Sequence, residues 1–201
     1  MQDAFRRIGK IEPLEILPIL AAPFDKYYRN KLEFSFSNNR WLTDEELKHP
    51  ETILNRDVLG FHVPGMFDKV FHVRTCWLQP EPSNEIRNWI FEYALKEKLE
   101  FFDIKAQRGF VRSLIIRTSN TGEVMVILTF FEENLKKRSG LLKALSLKFP
   151  EITSLHYVIN SKGNDTITDQ DVLLFSGKPC IEEEMEGLRF RVGPKSFYQT
   201  N

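Results

Sequence analysis

The chain has 201 residues, 42% of them hydrophobic and 17 of them phenylalanine, which suffices for one ordinary domain with a substantial core and at most a small appendage. Its 28 basic and 28 acidic residues cancel to a net charge of zero, which excludes a histone-like or arm-type nucleic-acid binder working through bulk charge, so any nucleic-acid site must be local. The two cysteines, Cys76 and Cys180, have no C-x-x-C spacing and exclude a disulfide framework. With no signal-like segment and no apolar run near the ~18 residues of a membrane span, the expectation is a soluble cytoplasmic protein.

Residues 1–8 read as the last turns of a helix, with Phe5 and Ile8 on an inward apolar side and Gly9 as the stop, which points to further chain upstream. Extended, proline-punctuated sequence follows to Pro23. Residues 31–37, K-L-E-F-S-F-S, alternate as a strand, with Leu32, Phe34 and Phe36 on one face and Lys31, Glu33 and Ser35 on the other. Residues 41–56 are polar and turn-rich, an irregular excursion or a short helix. Residues 58–63 and 69–73 form a predicted hairpin around Pro64-Gly65.

Pro82-Ser83-Asn84-Glu85 opens the best predicted helix, with Ser83 as its N-cap and Ile86, Trp89, Ile90, Tyr93 and Ala94 on the face turned to a sheet. Residues 110–118 and 124–131 flank S-N-T-G-E, a predicted β-hairpin in which Gly122 supplies a positive backbone angle. A second helix starts at Asn134, runs through Leu135, Leu141, Leu142, Leu145 and Phe149, and stops at Pro150; Gly140 weakens its middle by roughly 1 kcal/mol relative to alanine. Residues 155–159, 172–175 and 188–192 supply further strands. The pattern is α+β, a mainly antiparallel sheet with two long amphipathic helices on one face. The βαβ alternation and the Gly-rich phosphate loop of a nucleotide fold are absent, because Gly60 to Gly65 and Gly187 to Gly193 have the wrong spacing.

Residues 27–31, Y-Y-R-N-K, gather two cations, an amide and two aromatics in front of a strand. Arg29 and Lys31 suit phosphate, Asn30 suits a base edge and tyrosine can stack, so the segment is a candidate RNA contact; the alternative is a strand entrance whose charges are merely solvated. Arg108 and Arg112 are candidates for one basic surface, with Arg117 expected to face the other way from its odd spacing. Lys136-Lys137-Arg138 opens a helix, as phosphate contacts or as a solvated face. His62, His72 and His156 read as structural histidines and Glu182-Glu183-Glu184 as an exposed acidic rim. The last eight residues, P-K-S-F-Y-Q-T-N, carry stacking and edge-reading groups and read as the opening of a further unit or as a tied-down strand end.

In order, Y-R-N-K-L-E-F-S-F-S, L-G-F-H-V-P-G-M-F-D-K-V with a cysteine soon after, R-G-F-V-R-S-L-I-I-R, S-L-H-Y-V-I-N and L-R-F-R-V-G-P-K-S-F-Y-Q-T-N resemble the S-adenosylmethionine-dependent RNA (uracil-5-)-methyltransferase family across nearly the whole chain. The resemblance implies a central-domain fragment lacking the Rossmann-like catalytic domain, with residues 1–187 as the RNA-recognition domain and residues 188–201 as the first strand and motif of a truncated methyltransferase domain. It implies methyl transfer from S-adenosylmethionine to C5 of a uridine in RNA, with 23S rRNA favoured over tRNA although members acting on either share these motifs; the fragment is expected to be inactive alone, and no membrane or protein partner is implied. By position, Phe197 is implied to stack near the target uracil, Gln199 to contact the cofactor, and Arg29, Asn30 and Lys31 to contact RNA. Cys76 is implied as one ligand of a [4Fe-4S] cluster that some members carry, in the full-length parent only. A free-standing RNA-binding or adaptor module without catalysis is the alternative.

Overall fold

A computed structural model of the chain describes residues 2–12, 15–49 and 55–198. Among them the chain begins with α1 (Gln2–Ala4), which continues as a π-helical turn (Phe5–Gly9), then β1 (Lys31–Ser37), α2 (Asp44–Lys48), β2 (Val58–Val63) and β3 (Met66–His72). Next come α3 (Ser83–Lys96), β4 (Val111–Thr118), β5 (Val124–Phe130), α4 (Leu135–Lys148), β6 (Ile152–Ile159), β7 (Leu173–Gly177), β8 (Ile181–Met185) and β9 (Leu188–Val192).

Seven strands form one mixed sheet in the order β3-β2-β1-β4-β5-β6-β7, and β8 and β9 form a separate pair. Neighbours run antiparallel except β5 and β6, which are parallel because α4 carries the chain back across the sheet between them. The clean alternation of β1 buries Leu32, Phe34 and Phe36. In β4 and β5 every residue is buried, which requires cover on both faces of the sheet centre.

Two apolar clusters supply that cover. The first joins Phe34, Leu114, Ile116, Val126 and Leu128 to Ile86, Ile90 and Ala94 of α3 and to Leu141, Leu142 and Leu145 of α4. The second joins the alternate residues Ile115, Met125 and Ile127, with Val158, to Ile167, Ile181 and Val192. The opposite face is therefore closed by the 160–172 connection and by the β8–β9 hairpin. Each fully buried side chain of this kind contributes gross stabilisation of about 1.5–3 kcal/mol, so both coverings are integral to the fold.

Local chemistry sets the element ends. Asn134 caps α4 by accepting from the Lys137 amide at 3.1 Å, and Thr43 with Glu46 forms a capping box on α2. The β8–β9 turn places Glu186 and Gly187 at φ 53° and 77°, the paired positive angles of a two-residue hairpin loop.

Several expectations are corrected. Ser83 is the first helical residue rather than the N-cap: its hydroxyl donates to Gln79 Oε1 at 2.5 Å, while the Glu81 carboxylate accepts from the amides of Asn84 and Glu85. Phe5 and Ile8 do not face inward; they are 39% and 85% exposed. Strand β6 starts three residues earlier than its apolar run, at Ile152. The triplet Glu182-Glu183-Glu184 lies within β8, and Glu183 is buried. No helix among the described residues is long and apolar enough to cross a membrane.

Candidate nucleic-acid interface

The site lies where β1 begins and β4 ends. The Thr118 amide donates to the Asn30 carbonyl at 3.0 Å, and in the β1–β4 register Lys31 stands directly opposite Arg117. The approach to β1 is held from the α3 side. Buried Gln79 donates through Nε2 to the Ile116 carbonyl at 3.0 Å, and the Leu78 carbonyl accepts the Arg29 amide at 2.8 Å. The same strip joins the Tyr27 amide to the Trp77 carbonyl at 2.7 Å, which sets the two rings 6.0 Å apart with Lys26 Nζ 4.5 Å from the Trp77 centroid.

The other wall comes from the far end of the chain. The β4–β5 turn grips β8: Asn120 Nδ2 donates to the Glu184 carbonyl at 2.5 Å, Thr121 Oγ1 to the Glu182 carbonyl at 2.6 Å, and the Glu182 amide to Glu123 at 2.6 Å. With β8 fixed, β9 runs back in register to Val192, and Gly193 to Ser196 close a turn through Ser196 N–H to the Gly193 carbonyl at 3.1 Å. The Ser196 carbonyl then accepts from Arg117 Nη2 at 2.5 Å. Tyr198 packs on the second cluster, while Phe197 between them is 94% exposed.

The result is a cleft of about 180 Å³ lined by Arg29, Asn30 and Lys31, by Arg117, and by Ser196, Phe197 and Tyr198. No carboxylate is among these residues. The structure thus brings the Y-R-N-K residues beside Phe197, positions separated by most of the sequence, while Gln199 lies outside the described residues.

Arg117 is the lining residue that sequence reasoning missed. A bulge between Val111 and Ser113 shifts the alternation of β4 by one position, so Arg112 and Arg117 both meet groups of the second face: Arg112 bonds Asp165 of the 160–172 connection, and Arg117 bonds Ser196. The expected basic surface of Arg108 and Arg112 does not form. Arg112 is 2% exposed, and Arg108 lines a different cleft together with Asp57, Glu100, Asp103 and Glu132. Of the α4 cations, Arg138 pairs with Glu133 at 3.0 Å and lies 4.1 Å from the Tyr157 ring centroid, and Lys137 reaches Glu100 at 3.7 Å.

Cys76 is buried, its amide donating to Asn84 Oδ1 at 2.8 Å and its carbonyl accepting from Asn84 Nδ2 at 3.2 Å. The described residues contain no group of three or more metal-ligating side chains, so they do not fit an iron–sulfur cluster by themselves. His156 and His72 are both held below the usual imidazole range by burial, His72 with further lowering from neighbouring arginines.

No protein-family model matches the chain. An uncharacterized RNA methyltransferase of Porphyromonas gingivalis is 53% identical over 204 residues, covering 99% of this chain and 44% of the relative. One of Bacteroides thetaiotaomicron is 52% identical over all of this chain and 45% of its own length, and one of Chlorobaculum tepidum is 35% identical over 99% and 42%. The crystal structure of Pyrococcus abyssi tRNA (uracil-54, C5)-methyltransferase in complex with S-adenosyl-L-homocysteine aligns with a TM-score of 0.64 and 23% identity, covering 89% of this chain and 38% of that one. In sequence the chain is similar to proteins named as RNA methyltransferases, of whose length it spans a little under half, and its fold is similar to that of part of the Pyrococcus abyssi structure.

Proposed function

We propose that this chain is the RNA-recognition portion of an RNA (uracil-5-)-methyltransferase and that its cleft receives the RNA beside the target uridine. The supporting observation is the convergence of three cations, an amide and an exposed phenyl ring in one cleft free of carboxylates, within a protein of zero net charge. In this reading Arg29 and Lys31 hold backbone phosphates, Asn30 meets a base edge and Phe197 offers its face to a uracil turned out of its helix. Tyr27 and Trp77 add a second stacking surface on the same approach.

Residues 1–187 are proposed as the central domain and residues 188–201 as the entrance to the catalytic domain, with Gln199 as the contact to S-adenosylmethionine, which supplies the methyl group when bound. The reaction proposed for the whole protein is attack of a cysteine thiolate on uracil C6, methylation of C5, and removal of the C5 proton by a carboxylate with expulsion of the thiolate from C6, which restores the C5–C6 double bond and frees the cysteine; C5 becomes nucleophilic only after C6 is attacked. This chain's share is to bind and orient RNA in the cytoplasm, and it is inactive alone. An iron–sulfur role for Cys76 requires three thiolates from a longer protein.

Mapping 5-methyluridine by mass spectrometry in a strain lacking the parent gene tests this reading. Loss at one uridine of 23S rRNA is expected; loss at a tRNA site, the substrate class of the structural relative, reassigns the substrate. Unchanged methylation at every site overturns the proposal. In the full-length protein, Arg29→Ala with Lys31→Ala weakens RNA binding and flattens its salt dependence by about 0.7 in log–log slope per lost single-strand phosphate contact.

A further inference from the structure

We propose that Arg117 is a buried anion receptor for one RNA backbone phosphate, acting with Lys31 across the β1–β4 pair, an inference that rests on the RNA-binding reading above. Its guanidinium lines the cleft yet is 3% exposed, and its one hydrogen bond, to the Ser196 carbonyl, leaves Nε without a partner. Among the described residues no carboxylate pairs with it, and burial alone accounts for the lowering of its pKa, although an arginine remains charged.

The other buried arginines have more partners. Arg112 has Asp165 and the Asn160 and Lys162 carbonyls; Arg138 has Glu133; Arg87, although its Nη1 is also unpartnered, donates to the Val73 and Arg74 carbonyls and to the side chains of Asn84 and Asn88. A buried charge is retained at a cost unless something compensates it. Lys31 adds a second cation directly opposite Arg117 in the strand register. An arrangement that works against the free protein becomes favourable once a monoanion sits between the two cations. A phosphodiester has that charge and two free oxygens for the planar fork of arginine. Ser196 sets the position of the guanidinium, and neighbouring Phe197 places the held phosphate beside a stacked base.

The test uses the full-length protein and an RNA oligonucleotide that it methylates. Arg117→Gln is expected to weaken binding about tenfold, the scale of one charge-assisted contact, and to reduce the log–log salt slope by about 0.7. A neutral methylphosphonate at the contacted linkage should then weaken wild type but not the variant. Lys31→Gln supplies an independent arm: it should weaken RNA binding and reduce the log–log salt slope by a further ~0.7. If folded Arg117→Gln binds RNA with unchanged slope, or if Lys31→Gln leaves the slope intact, the receptor is overturned. The Lys31 arm decides the matter if Arg117→Gln does not fold. Inorganic phosphate protecting wild type against heat more than Arg117→Gln or Lys31→Gln supports the site; equal protection counts against it. Failure of wild type to bind any RNA would instead defeat the underlying functional reading.

Discussion

The two ends of strand β4 bury the same residue type and treat it in opposite ways. At the Arg112 end the guanidinium donates two hydrogen bonds to Asp165 Oδ1, at 3.0 and 2.8 Å, and two to backbone carbonyls at 2.8 and 2.6 Å. At the Arg117 end a guanidinium of similar burial has one carbonyl and faces a lysine. The first arrangement ties the 160–172 connection to the sheet and is complete without a ligand. The second is incomplete, and its incompleteness is what marks that end of the sheet for binding. Satisfaction of buried charge thus separates structural from functional cations where their number and type do not.

The largest expected effect tests the structural end. Arg112→Met removes the donors of the Asn160 and Lys162 carbonyls and the partner of Asp165, and it should destabilise the fold by about 3 kcal/mol, at the low end for breaking a buried ion pair because Asp165 keeps contact with water. Denaturant unfolding measures it, and RNA affinity extrapolated to fully folded protein should not change. A stability loss under about 1 kcal/mol would mean that the Arg112 network is no more than a surface pair and would dissolve the contrast with Arg117.

A smaller effect, on the other axis, comes from Phe197→Ala. The ring is 94% exposed, so its removal should leave the melting temperature unchanged. If it stacks on the target base, RNA affinity or methylation by the full-length protein falls by the equivalent of about 1–3 kcal/mol. Unfolding and binding measured on the same variant separate the two, and a stability loss without a binding loss would reverse the assignment.

How much of this was legible in the sequence follows from which features are local. The alternation of residues 31–37 and the cations and amide of Arg29, Asn30 and Lys31 are local, and they were read directly. The α3 boundary was misplaced because Glu81, rather than Ser83, supplies the acceptors for the first amides. Arg117 was turned to the wrong face because parity counting assumes an unbroken strand, and the bulge after Val111 is set by pairing with β5, a partner distant in sequence. Strand β8 was hidden for a similar reason. Three consecutive glutamates carry no apolar signal, and their extended backbone is fixed by Asn120, Thr121 and Glu123 from another hairpin. Residues separated by more than half the chain become neighbours only through such register choices, so the cleft was visible as ingredients and not as a place.

The smallest effect concerns pH and sharpens the same comparison, because a third kind of buried nitrogen base sits on β6. His156 is 2% exposed, with Nε2 2.8 Å from Ser154 Oγ and Nδ1 unpartnered, and burial pushes its pKa below the ordinary imidazole value. In the unfolded chain it titrates near about 6.5, so between the folded and unfolded values the unfolded state binds more protons. Its contribution is therefore fully present above about pH 6.5 and is lost as pH falls toward the folded pKa. His72 shifts in the same direction through burial and the charges of Arg74, Arg40 and Arg87, and it adds to the slope. Melting temperature measured from pH 7 to pH 5 should fall, and His156→Gln should flatten part of that fall; a variant that keeps the full slope would show that His156 does not titrate in this range. Arg117 keeps its charge throughout, so the RNA contact it supplies should persist over the same interval wherever the protein remains folded.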